Sequence, residues 1–136
     1  MEILIKNFNE LSLEELYQVL QLRSEVFVVE QDCVYQDIDG KDQNALHILG
    51  VKDGKVIAYT RCFDKGFYFE EAAIGRVVVK ESERKNAYGH LILKASIEAI
   101  KERFKTDNIK LSAQQYLTNF YESHGFMQIG EGYLED

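Results

Sequence analysis

The chain has 136 residues, 46% of them hydrophobic and 12% aromatic, enough to build one core and matching the size of a single domain spanning residues 1–136. Its 23 acidic against 16 basic residues give a formal net charge of −7, which argues against nucleic acid or an anionic membrane as the main partner, because both are held by clustered cations. The start Met1-Glu2-Ile3-Leu4-Ile5-Lys6 lacks a basic segment followed by a long apolar one, and no apolar run reaches membrane-spanning length, so a cytoplasmic protein is expected.

In chain order, Ser12-Leu13-Glu14-Glu15 has the form of a capping box. Leu13, Leu16, Leu20 and Phe27 follow on one helical face, predicting a helix from about Leu13 to Val28 with Glu14, Glu15, Gln18 and Gln21 opposite. The segment Asp37-Ile38-Asp39-Gly40-Lys41-Asp42 resembles a calcium loop only superficially. With Gly40 at the sixth position, Tyr35 and Leu46 fall where carboxylates are required. Its aspartates are expected to form turns, or to line a substrate mouth with negative charge.

Apolar runs at Ala45–Val51 and Val56–Phe63 flank Lys52-Asp53-Gly54-Lys55, and Asp-Gly between two such runs predicts a hairpin. A strand follows at Ala73–Val79, apolar on both faces near its end, as suits a central strand covered by helices. Leu93, Ile97, Ile100 and Phe104 recur at helical spacing, and Ile109–Ala113 reads as a strand. A short helix from about Leu117 to His124 and a last strand near Met127–Ile129 complete the pattern. Strand, helix and strand in succession imply that the strands at Ala73 and Ile109 run parallel in one mixed sheet.

Between that strand and helix lies Lys80-Glu81-Ser82-Glu83-Arg84-Lys85-Asn86-Ala87-Tyr88-Gly89-His90. A strand feeding a basic turn and then a helix start brings free N–H groups, the positive end of the helix dipole and cationic side chains to one point, a combination suited to pyrophosphate. Arg84 and Lys85 supply charge in this reading. The backbone N–H groups of Ala87, Gly89 and His90 supply hydrogen bonds, and the His90 side chain is expected to be exposed.

Arg84-Lys85-Asn86-Ala87-Tyr88-Gly89 resembles the acetyl-CoA motif Arg/Gln-x-x-Gly-x-Gly/Ala of the GNAT superfamily of N-acetyltransferases, with Ala87 at the place of the first Gly. Leu22-Arg23-Ser24-Glu25-Val26-Phe27-Val28-Val29-Glu30-Gln31, Ile74-Gly75-Arg76-Val77-Val78-Val79, Leu111-Ser112-Ala113-Gln114 and Tyr133-Leu134-Glu135-Asp136 extend the likeness, specifically to its ElaA-type branch, over nearly the whole chain. The resemblance implies an α/β fold of the GNAT type, with α/β/α layers, a mixed central sheet and two parallel strands that splay to admit the pantetheine arm. It implies acetyl-CoA as donor and a primary amine as acceptor, joined by direct attack in a ternary complex. Val77 and Val79 would then offer backbone groups to pantetheine, and Asn119 a side-chain hydrogen bond. Tyr121 would protonate the leaving thiolate.

A base for the attacking amine is not singled out by spacing: Glu25, Glu30, Glu70 and Glu71 all stand as candidates. Cys33 and Cys62 lack metal-ligand spacing, so two reduced thiols and no metal are expected. Two other functions fit the same residues: a noncatalytic acyl-CoA-binding module, and an interaction protein that uses an exposed sheet edge. Members of the ElaA-type branch continue past the last acidic pair with a further strand, which leaves one edge unaccounted for here. A symmetric homodimer is one way to close such an edge.

Overall fold

A computed structural model describes residues 1–67, 69–112, 126–129 and 132–135. Seven strands form one sheet: β1 (Glu2–Asn7), β2 (Leu46–Lys52), β3 (Lys55–Phe63), β4 (Ala72–Val79), β5 (Ile109–Ser112), β6 (Phe126–Ile129) and β7 (Gly132–Glu135). Their spatial order is β1-β2-β3-β4-β5-β7-β6, antiparallel throughout except for the parallel pair β4 and β5. Among the described residues two α-helices accompany the sheet, α1 (Leu13–Arg23) and α2 (Tyr88–Arg103).

The Ser12 hydroxyl accepts from the Glu15 N–H and the Glu15 carboxylate accepts from the Ser12 N–H, so α1 starts where its capping box says. The helix continues through Ser24–Glu30 as a wider π-helical turn. Its buried face differs from the expected one. Leu13 is 89% exposed, and Val19, Leu22, Arg23 and Val26 face inward. The leucines fit a helical stripe, but the stripe that meets the sheet lies on the valine side. Gln18, expected to be solvated, reaches the sheet and accepts the Val56 N–H at 2.8 Å.

Alternation along the central strands sends side chains to two separate cores. Val19, Leu22 and Val26 pack with Leu49, Tyr59 and Val78 on one face. On the other, Ile92, Leu93, Ile97 and Ile100 of α2 pack with Ile48, Ala58, Cys62, Ile74 and Leu111. The expected α/β/α layering is therefore present. Cys62 is buried, which raises its thiol pKa to about 12 against the smaller opposing effect of hydrogen bonds to Thr60 and Ser96; Cys33 is exposed.

The hairpin between β2 and β3 turns at Asp53 and Gly54, both at positive φ (53° and 76°), as Asp-Gly in a primed turn requires. The strands β1 and β7 were not anticipated. β1 ends at Asn7 and pairs with β2, which begins at Leu46, and β7 inserts between β5 and β6. The expected helix at 117–124, with Asn119 and Tyr121, lies outside the described residues.

Candidate active site

Among the described residues β4 and β5 pair at three positions, Ala72 with Ile109, Ala73 with Lys110 and Ile74 with Leu111. The described part of β5 ends at Ser112, one residue past the Leu111 that faces Ile74. The opposite side of β4 stays bound to β3 as far as Val79, with a register shift between Tyr59 and Arg61. Arg76 sits at that irregularity with φ 51°, an uncommon conformation for a residue with a Cβ.

The direction of the backbone groups beyond the bulge follows from one hydrogen bond. The Lys80 N–H donates to the Ile57 carbonyl at 2.8 Å, and Val78 lies opposite Tyr59, so residues 78 and 80 face β3. Alternation turns the backbone groups of Val77 and Val79 the other way, away from β3. The Val79 carbonyl is engaged there, accepting Arg84 Nε at 3.0 Å.

After β4 the chain makes a 3-10 turn over Glu81–Asn86 and enters α2 through Ala87, which is left-handed (φ 59°, ψ 23°). That is the conformation a glycine would take most readily at this point. The N-cap residue Ala87 makes no side-chain cap, and the backbone ladder of α2 begins with the Leu91 N–H donating to the Ala87 carbonyl at 3.4 Å. Lys85 and His90 are exposed beside it, as expected. Gly89 lies in the first turn.

The cations and carboxylates around this turn are matched in pairs. Arg84 donates from Nη1 and Nη2 to the two oxygens of Glu30 at 2.7 and 2.8 Å. Lys80 lies 3.4 Å from Glu25, and Lys52 lies 2.9 Å from Glu83. Two of the candidate bases, Glu25 and Glu30, are thus partners of the basic turn. Glu70 is exposed and Glu71 half-buried, both just before β4.

Beside the seam between β4 and β5 there is a small concavity lined by Arg61, Phe63, Phe69 and the stretch Ala73–Arg76. Lys110 of β5 stands over the Phe69 ring at 4.1 Å. Behind it lies a buried ionic cluster. Arg23 Nε and Nη1 donate to Asp37 and Asp42 at 2.9 and 2.8 Å, and Arg61 donates to Asp39 and Asp42 at 2.8 to 3.0 Å. Arg76 Nε reaches Asp37 at 2.7 Å.

Asp37, Asp39 and Asp42 therefore do not line a substrate mouth with free negative charge, as the sequence suggested. Three arginines from α1, β3 and β4 take up their carboxylates, and the segment is fastened down onto the sheet. Burial works to raise the Asp39 pKa, but hydrogen bonds from Arg61 and the Lys41 N–H and the charges of Arg61 and Arg76 hold it at about 2. Arg61 Nε is buried without a partner.

His47 closes the cluster. A carbonyl can only accept, so Nε2 carries the proton it donates to the Asp42 carbonyl at 2.9 Å, and Nδ1 accepts from the Tyr59 hydroxyl at 2.6 Å. Burial, helped by the charges of Arg23 and Arg61, lowers the His47 pKa and keeps this neutral tautomer. Burial likewise raises that of Tyr59.

The sequence reading missed Arg23, Arg61, Arg76 and the two phenylalanines. A signal existed: Arg61 and Arg76 interrupt otherwise apolar strands, and an arginine there needs a carboxylate partner. Among the described residues, no three His, Cys, Asp or Glu are grouped to hold a metal, and no helix is long and apolar enough to cross a membrane.

Residues 8–136 match the family model of the acetyltransferase (GNAT) domain. The chain is 42% identical over 130 residues to protein ElaA of Escherichia coli, an alignment covering 94% of this chain and 85% of that protein. The crystal structure of E. coli ElaA superposes with a TM-score of 0.91, covering 99% of both chains. An acyl-CoA N-acyltransferase from Pseudomonas aeruginosa gives 0.92 at 34% identity, again over 99% of both. PaiA N-acetyltransferase from Thermoplasma acidophilum, solved with coenzyme A, shares the fold at 15% identity, with a TM-score of 0.70 over 98% of this chain and 97% of its own.

Proposed function

The chain belongs to the GNAT acetyltransferase family, in its ElaA-like branch, and is an acyltransferase; from that premise we propose that it transfers an acetyl group from acetyl-CoA to a primary amine by direct attack. The observation that carries this reading is the left-handed Ala87 turn and the start of α2 without a side-chain cap, at the end of the strand that pairs in parallel with β5. A thin, amide-bearing arm can lie along β4 as a short strand addition and end in a pyrophosphate held at a helix N-terminus. Coenzyme A has that form, and the Thermoplasma neighbour was solved with it.

The roles follow the path of such a ligand. Lys85, Arg84 and the N–H groups of Ala87, Gly89 and His90 hold the pyrophosphate. The backbone of Val77 and Val79 holds the pantetheine amides, and Asn119 adds a side-chain hydrogen bond. Tyr121 protonates the departing thiolate, which is poorly stabilised in an apolar channel. The amine approaches through the concavity beside Gly75 and Arg76, where the thioester would end. The whole chain works as one domain, in the cytoplasm.

The test is the unfolding midpoint with and without acetyl-CoA, with adenosine diphosphate as the control for the pyrophosphate half. Donor at about 100 times its Kd stabilises by roughly 2.7 kcal/mol, a shift of several degrees. A panel of amines assayed for thiol release then identifies the acceptor. No shift at millimolar acetyl-CoA would defeat the reading.

A further inference from the structure

The basic turn that would take the donor's phosphate is already holding an anion. Arginine recognises a carboxylate or phosphate in two bidentate ways, through the end edge formed by Nη1 and Nη2 or through the side edge formed by Nε and one Nη. In Arg84 the end edge is spent on both oxygens of Glu30, and the Nε of the side edge is spent on the Val79 carbonyl. A phosphate cannot be gripped bidentately until one of these is given up.

We propose that Glu30 is an internal competitor for the donor's phosphate: its carboxylate occupies Arg84 in the empty enzyme, is displaced when coenzyme A binds, and returns to help expel it. The inference rests on the donor-site reading above and assigns Glu30 a role within it. Three observations support exchange over a fixed brace. The pair lies at the surface, with side chains 41% and 28% exposed, where solvent and salt screen it and a multiply charged ligand can compete for the guanidinium. Glu25 neutralises Lys80 from the same π-helical turn. The turn is thus screened by two carboxylates of one segment, an arrangement that opposes a polyanionic ligand. The Nε bond to the Val79 carbonyl is separate from the Glu30 contacts, so the freed Nη1–Nη2 edge can take a phosphate while the guanidinium stays anchored to β4.

Calorimetric titration of the full chain with coenzyme A, and separately with pantetheine, which lacks every phosphate, tests this in wild type, Glu30→Gln, Arg84→Gln and the double variant. Unfolding midpoints without ligand establish that each is folded. Glu30→Gln is expected to tighten coenzyme A roughly 3- to 10-fold, because the amide no longer competes as an anion for the end edge of Arg84. Pantetheine affinity should not change, and in the Arg84→Gln background the substitution should change coenzyme A affinity less than about twofold. Weaker or equal coenzyme A binding by Glu30→Gln would overturn the proposal, making Glu30 a brace for Arg84. So would an equal gain for pantetheine, or a gain that survives without Arg84. If wild type binds no coenzyme A at all, the donor-site reading falls first, and the proposal with it.

Discussion

Arg23 and Arg61 donate to the same oxygen of Asp42, at 2.8 and 3.0 Å, although one lies at the end of α1 and the other in the middle of β3. One carboxylate oxygen thus joins the helix layer to the sheet and ties both to the turn at Asp42–Asn44. Asp37 does the same for Arg23 and Arg76, so the strained position on β4 is anchored to the far end of α1. The cluster has three positive and three negative side chains, and its value lies in where it holds β4.

Removing one partner leaves the others buried and uncompensated. Arg61→Leu is expected to cost about 3–5 kcal/mol, read as a fall in the urea midpoint with the slope unchanged. The single orphaned Nε of Arg61 offsets part of this, because its removal abolishes one unsatisfied donor. A cost below about 1 kcal/mol would mean that water screens the cluster.

Acid should dismantle the same region in two stages. His47 has a lowered pKa in the folded chain, so the unfolded chain takes up its proton first, and stability begins to fall as pH drops below the ordinary histidine value of about 6.5. Asp39 is depressed to about 2, so its contribution is intact above the ordinary aspartate value of about 3.9 and is lost as pH falls from there toward 2. Urea melts at pH 7.5, 5.5 and 4 measure the first stage, and nitrogen NMR of His47 should show a neutral, Nε2-protonated ring that takes up its second proton only below the ordinary histidine value. A ring that titrates at or above that value would contradict the assignment.

At Ala87 the backbone is left-handed, which disfavours any side chain and disfavours branched ones most. Ala87→Gly should therefore leave stability unchanged or raise it by up to about 1 kcal/mol, the relief of strain being partly offset by glycine's greater freedom when unfolded. Ala87→Val should lower it by about 1–2 kcal/mol. Thermal melts of the two variants decide the matter, and a destabilised glycine variant would show that the turn has a different conformation in solution.

For Tyr121→Phe, loss of the hydroxyl should lower kcat with little change in the Kd of acetyl-CoA, because a proton donated to the thiolate acts only as the carbon–sulfur bond breaks. Steady-state thiol release and calorimetry separate the two. Equal turnover in the variant removes Tyr121 from the mechanism.

What could be read from the sequence was local. The capping box at Ser12 and the Asp53-Gly54 turn are short-range devices whose residues determine their own geometry, and both stand as expected. At the basic turn before α2 the sequence left the geometry open, because alanine enters the left-handed region less readily than glycine; Ala87 nevertheless adopts it. Strand β1 escaped notice because its partner lies about forty residues away and its own alternation, Ile3 to Lys6, is too brief to stand out. The buried arginines escaped for the same reason on a larger scale: Asp42 meets Arg23 and Arg61 across nineteen positions in each direction. Nothing local marks such a triplet, and hydropathy alone assigns those aspartates to solvent.

The three residue pairs joining β4 to β5 have a further consequence, for solubility. An unpaired strand side at the rim of a sheet is an invitation to another chain, and proteins ordinarily blunt it with charge or bulges. Here β4 lies inside the sheet, with β3 on one side and the seam to β5 on the other. The strand along which the proposed donor would lie is therefore an interior one, at a place where a second copy of the chain has little room to dock.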